Sequence, residues 1–470
     1  FSSALASYFI LLFKKVEICF FKITCYYNQK RTEALLMYSK KQPIQIYLTL
    51  FLTTTLIGSI LLYLPWTGKK PISFIDALYV AASAFTVTGL STVDITSQFN
   101  VLGETIIMLL IQIGGMGIVA VSILALIISQ KRISYRNNQL FKLELNIDES
   151  LNVTDFSKFI FIFTISFETI GALVLSTVFV PEYGWSYGLF ISVFTSVSAL
   201  NNAGFSLFSD NLIAYAHDPV VNLMVAMLII LGGIGYIVLF DIVTTHQLKR
   251  LQLHTKVTLF VTFILIVVGT LGYFVLEYAH AFKGMSFSQQ LLASFFQSVS
   301  TRTAGFNTID FSHLAPGTLM LTMILMFIGA GPISAAGGIK VTTFALVILY
   351  VITSLNGHRH THLFRRSIDQ KQIQKAVAIT LTAMMFVIMI IFCFSVAQPN
   401  LQFEAIAFEV ISAFGTVGLS TGISTEYGTV AKLLIIMTMI VGKVGVLTLL
   451  GLLQHRTRET FHYAKSHLYL

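Results

Sequence analysis

Four short motifs centred on glycine carry the chemistry of this chain: TVTGLS at Thr86–Ser91, NNAGFS at Asn201–Ser206, RTAGFN at Arg302–Asn307 and TVGLST at Thr416–Thr421. Glycine lacks a Cβ, so it can turn successive carbonyls toward one axis, and rings of carbonyl oxygens can replace the water shell of a cation. The carbonyls that would line such a path belong to Thr86, Val87, Thr88 and Gly89, to Asn202, Ala203 and Gly204, to Thr303, Ala304 and Gly305, and to Thr416, Val417 and Gly418. No side-chain charge is needed. The hydroxyls of Thr86, Thr88, Ser300, Thr301 and Thr416 stand where they can bond the loop backbone and hold its shape.

The elements that must position these loops follow from the spacing. The glycines recur about every 100 to 115 residues, enough for one two-span unit each at 1.5 Å rise per residue. Before each glycine lies a semi-apolar stretch of about 15 residues, such as Phe74–Thr88 or Phe403–Val417, too short to cross a bilayer and long enough for two or three helical turns. Each reads as a re-entrant half-helix whose carbonyl end, carrying roughly half a negative charge, points toward the loop. Non-helical backbone at membrane depth survives only when buried in protein or lining a watery cavity, so four such loops around one axis imply a pore. The alternative is that the glycines only let helices pack closely. A second set, GGMG at Gly114–Gly117, GGIG at Gly232–Gly235, GAGP at Gly329–Pro332 and GKVG at Gly442–Gly445, follows each loop by about 24 to 28 residues. Because these glycines sit inside spans, close helix packing is the favoured reading for them.

Composition agrees with lipid as the solvent. Hydrophobic residues make up 55% and charged residues 11% of 470, against about a quarter charged in soluble domains. Apolar runs recur at Ile44–Leu64, Ile106–Ile128, Phe159–Val180, Val220–Phe240, Val257–Leu276, Val341–Ile352, Ala376–Val396 and Leu433–Leu453. The net charge of +9 does not point to nucleic acid, because the basic residues fall between spans. Lys14 to Lys41, Lys131 to Lys142, Lys249 to Lys256, His358 to Lys375 and Arg456 to Lys465 share one side if there are eight crossings, which makes that side and both termini cytoplasmic. The opposite loops carry Asp94, Glu182, Asp210, Asp218, Glu277, Asp310 and Glu426 beside Lys69, Lys70 and Lys283, a mildly anionic mouth that favours cations. Cys19, Cys25 and Cys393 are too few and scattered for a disulfide framework or a metal site. The run HRHTH at His358–His362, beside Arg365 and Arg366, reads as a basic loop, not a metal site.

With YLPWTG at Tyr63–Gly68, TVTGLSTVD at Thr86–Asp94, NNAGFS, STRTAGFNTIDFS at Ser300–Ser312 and TVGLSTG at Thr416–Gly422, the chain resembles the superfamily of bacterial Ktr and Trk and plant and fungal HKT potassium transporters. The likeness covers about residues 43–455 and is nearest to the membrane subunits of the Ktr branch. It implies an all-α integral membrane fold of eight spans, with four helix, re-entrant loop, helix units in pseudo-fourfold arrangement around one pore. The expected division is a cytoplasmic segment 1–43, units 44–130, 155–246, 256–355 and 372–455, and a cytoplasmic tail 456–470. The resemblance further implies that Gly89, Gly204, Gly305 and Gly418 are filter glycines selecting K+, that Na+ influences activity, that the protein is a homodimer with one pore per subunit in the bacterial cytoplasmic membrane, and that a cytosolic nucleotide-binding ring of the RCK type gates it. No covalent cofactor and no enzyme activity are expected. One glycine per loop, against two in the TVGYG filter of tetrameric channels, predicts weaker discrimination between K+ and Na+.

The third unit contains GAGPISAAGGIK at Gly329–Lys340. Pro332 cannot donate a helix hydrogen bond, and Gly337 and Gly338 each lower helix stability by roughly 1 kcal/mol, so the residues predict a break here. The resemblance makes the break a gate built from Gly329, Gly331, Pro332, Ser334, Ala335, Ala336, Gly337, Gly338 and Lys340; a static kink is the alternative. Lys443, mid-span, needs a partner, since an ionisable residue there costs at least about 2.5 to 3.5 kcal/mol. By the resemblance it faces the pore as an electrostatic barrier; an interhelical ion pair is the alternative. Glu168 is read as a helix-to-helix hydrogen bonder, and Asp76 as a carboxylate at a favourable helix end. A sodium-conducting member of the same superfamily is the first rival function, against which Gly89 stands where sodium preference goes with serine. An ion-coupled solute transporter is the second, and it predicts inverted repeats and clustered intramembrane carboxylates.

Overall fold

The structure, a computed structural model, describes residues 45–117, 120, 121, 123, 152–245, 247–357, 361–364 and 366–445. The expected segments 1–43 and 456–470, Cys19, Cys25, the basic residues Lys131 to Lys142, His358 to His360 and Arg365 lie outside the described residues.

Three kinds of helix alternate along the chain. Long helices α1 (Gln45–Tyr63), α4 (Val153–Tyr183), α8 (Leu253–Glu277) and α12 (Gln370–Ala397) are each long and apolar enough to cross a membrane. Half-helices α2 (Phe74–Thr86), α5 (Trp185–Leu200), α9 (Phe287–Ser300) and α13 (Phe403–Gly415) run 13 to 16 residues and end at the glycine motifs. The returning helices are α3 (Val101–Met116), α6 (Pro219–Ile234) with α7 (Tyr236–Thr245), α10 (Pro316–Phe327) with α11 (Val341–Leu355), and α14 (Thr429–Val444).

Local residues explain the starts. Ser73 accepts the Asp76 amide to cap α2, Asn100 accepts from Leu102 and Gly103 to cap α3, and Asp218 caps α6 with Pro219 in its first turn. Ser286 and Gln289 form a capping box at α9.

Lipid tails are as apolar as leucine, so burial alone does not drive these helices together; close approach of small residues does. A Cβ on Gly114, Gly232 or Gly442 would lie 2.0, 1.8 or 2.1 Å from the carbonyl oxygen of Phe85, Leu200 or Phe414, at the end of the half-helix in the same unit. The first glycine of these motifs therefore serves packing, as expected. The last one ends the helix: Gly117, Gly235 and Gly445 have φ of 89°, 103° and 90°, and α6 bends by 90° into α7. The unbroken span expected over Val220–Phe240 is thus bent, and in the runs Ile106–Ile128 and Leu433–Leu453, of which 118, 119, 122, 124–128 and 446–453 lie outside the described residues, the helix ends before Gly117 and Gly445, because hydropathy runs on through a glycine where the backbone turns.

The returning helix of each unit packs on the half-helix of the next: α3 on α5, α6 on α9, α10 on α13, and α14 back on α2. That sequence of contacts closes a ring. Large apolar side chains such as Phe263, Leu173, Met385 and Phe392 remain exposed on the outer helices, the face that lipid would cover.

Candidate functional site

The four loops adopt one backbone pattern. Two residues before each glycine stands a non-glycine residue with left-handed φ, namely Val87 (60°), Asn202 (56°), Thr303 (79°) and Thr416 (49°), and the glycines follow at 94°, 68°, 74° and 93°. Three of these non-glycine residues are β-branched, for which this region is a genuine outlier, and such strain collects at functional sites. Left-handed residues alternating with ordinary ones turn successive carbonyls toward the same side of the chain.

The loops meet around one axis. A Cβ on Gly89 would lie 2.4 Å from the Ala203 carbonyl oxygen, one on Gly204 would lie 2.7 Å from that of Ala304, one on Gly305 2.2 Å from that of Val417, and one on Gly418 2.1 Å from that of Thr88. Each glycine thus abuts the carbonyl preceding the next glycine, in the order first, second, third, fourth, first. Of the thirteen residues expected to line the path, Thr86 ends α2 and the other twelve belong to the four loops, and every non-glycine one is fully buried. The Asn202 amide lies 3.3 Å from Thr303 Oγ1, joining the second and third loops.

Hydroxyls brace the collar from behind. Thr86 Oγ1 and Thr88 Oγ1 are 2.7 Å apart. Ser83 Oγ accepts the Gly89 amide at 3.0 Å and Ser412 Oγ accepts the Gly418 amide at 3.1 Å, while Ser198 donates to Phe205 O at 2.7 Å and Ser300 to Phe306 O. Of these serines only Ser300 was anticipated. The signal for the others was a serine six positions before the glycine in units one, two and four, which shifts to five in unit three.

Beneath the collar, on the side where the half-helices end, the third unit folds into a loop, not a kinked helix. Ile328 and Ile339 form a parallel bridge, and the Val341 amide donates to Ala330 O. Glycines permit the fold: a Cβ on Gly329 would lie 2.2 Å from Gly337 O, and one on Gly331 2.0 Å from Ile234 O. Pro332 and Ile333 meet the break in the second unit, where the Tyr236 amide donates to Ile333 O at 2.9 Å and the Gly331 amide to Gly233 O at 2.8 Å. Ser334 donates to Gly331 O at 2.6 Å, and Lys340 Nζ to Ala336 O at 2.5 Å. Gly338 has φ of 70° and lies against Gly415. Hydrogen bonds also tie the loop to the fourth unit: the Gly337 amide donates to Thr416 Oγ1, and Lys443 Nζ donates to Ala335 O. Lys443 therefore sits on the loop, a partner that hydropathy could not reveal.

Glu168 and Asp76 are carboxylates at the collar's periphery. Glu168 accepts from Gln112 Nε2 at 3.1 Å and Asn201 Nδ2 at 3.0 Å, the expected helix-to-helix bonding, here gripping the residue that opens the second loop. Asp76 does more than face a helix end. It accepts from Lys432 Nζ at 2.6 Å and Thr92 Oγ1 at 2.6 Å, across the seam where the fourth unit meets the first. Burial pushes its pKa up, but the bonds from Lys432, Ser73 and Thr92 outweigh this and hold it below the usual value. Among the described residues, no group of His, Cys, Asp and Glu could hold a metal ion.

The model of the TrkH family, described as cation transport protein, matches residues 15–457. The chain belongs to the TrkH family of cation transport proteins. It is 46% identical over 408 residues to the Ktr system potassium uptake protein B of Bacillus subtilis, covering 86% of this chain and 92% of that one. It is 37% identical over 429 residues to the potassium/sodium uptake protein NtpJ of Enterococcus hirae, covering 90% and 95%. The crystal structure of the potassium transporter TrkH from Vibrio parahaemolyticus superposes with a TM-score of 0.73 at 18% identity, over 88% of this chain and 85% of that one, which supports the TrkH fold. The TrkH family is one of membrane ion transport rather than of enzymes.

Proposed function

We propose that this chain is the membrane subunit of a potassium uptake system, conducting K+ through the four-loop collar down the membrane potential. The observation that carries the reading is the closed succession of four glycines, each against its neighbour's carbonyl. Such a collar offers a dehydrating cation oxygen ligands fixed in advance, and the half-helix ends add negative potential beside it. A potential of about 100 mV is worth about 2.3 kcal/mol per charge, enough for roughly 50-fold accumulation without chemical energy at the pore.

In this reading Thr86, Val87, Thr88, Gly89, Asn202, Ala203, Gly204, Thr303, Ala304, Gly305, Thr416, Val417 and Gly418 form the filter. Residues Gly329 to Lys340 form the gate, and Lys443 is a positive barrier that also holds the gate shut. The subunit works as a homodimer in the bacterial cytoplasmic membrane with both termini inside, and a cytosolic nucleotide-binding ring of the RCK type controls the gate. The relatives named for Ktr systems support the partner, since a system has more than one component. Sodium acts as a modulator. A sodium-conducting role is the second reading, favoured by the relative named for both ions. The test is rubidium uptake by cells lacking their own potassium systems, with and without this chain. Saturable Rb+ uptake that Na+ inhibits poorly supports potassium; uptake of 22Na+ without Rb+ supports the alternative.

A further inference from the structure

The segment that follows each filter glycine must be held, or the collar cannot keep its diameter. Three units tether the residue three positions beyond the glycine to a side chain of their own half-helix. In the first, Thr92 Oγ1 donates to Asp76 at 2.6 Å, and in the third, Gln297 Nε2 donates to Thr308 Oγ1 at 3.1 Å. In the fourth, the Thr421 amide donates to Glu409 Oε1 at 3.1 Å. The second unit has Leu207 at this place.

The fourth tether differs in kind, because it grips backbone and several hydroxyls at once. Glu409 stands nine positions before Gly418, where the other units have Val80, Thr195 and Phe296, and it is fully buried in α13. Ser420 donates to Oε1 at 2.5 Å and Ser424 to Oε2 at 3.4 Å, while the Gly422 amide donates to Ser420 Oγ at 2.9 Å. Tyr79 of α2 and Tyr427 pack in the same apolar cluster. A carboxylate at such a site is costly unless its acceptors are filled, and here Ser420, Thr421 and Ser424, just outside the filter, donate to them.

We infer that Glu409 is a positioning residue for ion selection: it fixes the segment Ser420–Ser424, and through it the Val417 and Gly418 carbonyls, at the spacing that suits K+ rather than Na+. The inference rests on the filter reading proposed above. The atom that does this is a hydrogen-bond acceptor, not a negative charge near the ion. An amide oxygen at the same place can take both the Ser420 hydroxyl and the Thr421 amide.

The test is Rb+ uptake kinetics with Na+ as competitor, in cells lacking their own potassium systems, each variant normalised to its abundance in the membrane. Glu409→Ala is expected to raise the apparent KM for Rb+ about tenfold and to strengthen inhibition by Na+, as loss of one to two kcal/mol of positioning would. Glu409→Gln should stay within about threefold of the wild type by the same measure. Ser420→Ala, a small change at a half-buried position, should raise KM about threefold and add nothing in the Glu409→Ala background. Should Glu409→Ala accumulate too poorly to assay, Ser420→Ala alone decides. Unchanged KM and Na+ inhibition in Ser420→Ala, or in Glu409→Ala with only Vmax or abundance reduced, overturns the inference. Glu409→Gln as impaired as Glu409→Ala overturns it too. Gly305→Ser is assayed beside them: if it leaves KM untouched, the filter reading itself fails, whereas a shift there with none in the Glu409 and Ser420 variants defeats only this inference.

Discussion

The Gly337 amide donates a hydrogen bond to Thr416 Oγ1 at 2.8 Å, joining the loop of the third unit to the glycine loop of the fourth. A Cβ on Gly337 would meet the same threonine at 2.6 Å, so the loop reaches the collar only because no side chain intervenes. Collar and loop are therefore not independent parts: moving the loop removes a bond from a residue whose φ of 49° is already strained.

Thr416→Val tests this contact. Loss of one hydrogen bond of about 0.5 to 1.5 kcal/mol should shift the loop toward release and raise resting Rb+ flux roughly 2- to 10-fold in liposomes holding the chain alone. Thr416→Ser, which keeps the acceptor, should stay near the wild-type flux. Equal fluxes in the two variants would show that the bond does not hold the loop.

Lys443, also of the fourth unit, donates to Ala335 O of the loop. Charge-assisted bonds contribute about 1.5 to 3 kcal/mol, so Lys443→Gln should raise resting flux by at least about tenfold, and deletion of Ala335–Gly338 should raise it at least as much. Flux that stays at the wild-type level in both, with protein present in the membrane, would refute the gate. Arginine at this position should restore a low resting flux, since it keeps the charge and can bond the same carbonyl.

The ion pair of Lys432 with Asp76 spans the seam between the last unit and the first. The Asp76 carboxyl is held below its usual 3.8 by these bonds, after burial has opposed them. A depressed carboxylate contributes stability above its unfolded value, and that contribution is lost as pH falls through the lower folded value. The melting temperature of the detergent-solubilised protein should therefore drop below about pH 4, and Asp76→Asn should flatten that part of the profile. A double-mutant cycle of Asp76→Asn and Lys432→Met should give a coupling of about 1 kcal/mol, small because both groups retain some solvent contact. A pH profile identical in Asp76→Asn and wild type would remove the pair from the account.

Much of this was legible in the residues, and the reasons for the rest are physical. The four glycine motifs, their spacing and the half-helices before them are local patterns, so they survived intact into the structure. The loop at Gly329–Lys340 was visible as a proline and paired glycines, but its partners Thr416, Lys443 and Tyr236 lie in other units, and no periodicity reveals a contact between residues that distant. Asp76 and Lys432 were unreadable as a pair for the same reason, being 356 positions apart. The interruptions at Gly117, Gly235 and Gly445 escaped because hydropathy measures side chains, and the backbone angle of a single glycine leaves no mark on it. Glu409 sits in a stretch whose apolar neighbours hid it.

The central claim is that one collar of four backbone loops, closed by glycine, selects the ion. Gly305 has φ of 74°, and any Cβ there would lie 2.2 Å from the Val417 carbonyl oxygen, so Gly305→Ser must displace a carbonyl that the proposed filter uses as a ligand. The direct measurement is the apparent KM for Rb+ and the inhibition constant for Na+ in Gly305→Ser against wild type, at matched membrane abundance. The account predicts a rise in KM of at least about tenfold with Na+ inhibition little changed, since strain and one displaced carbonyl together exceed about 1.4 kcal/mol. A variant that takes up Rb+ with wild-type KM would contradict it.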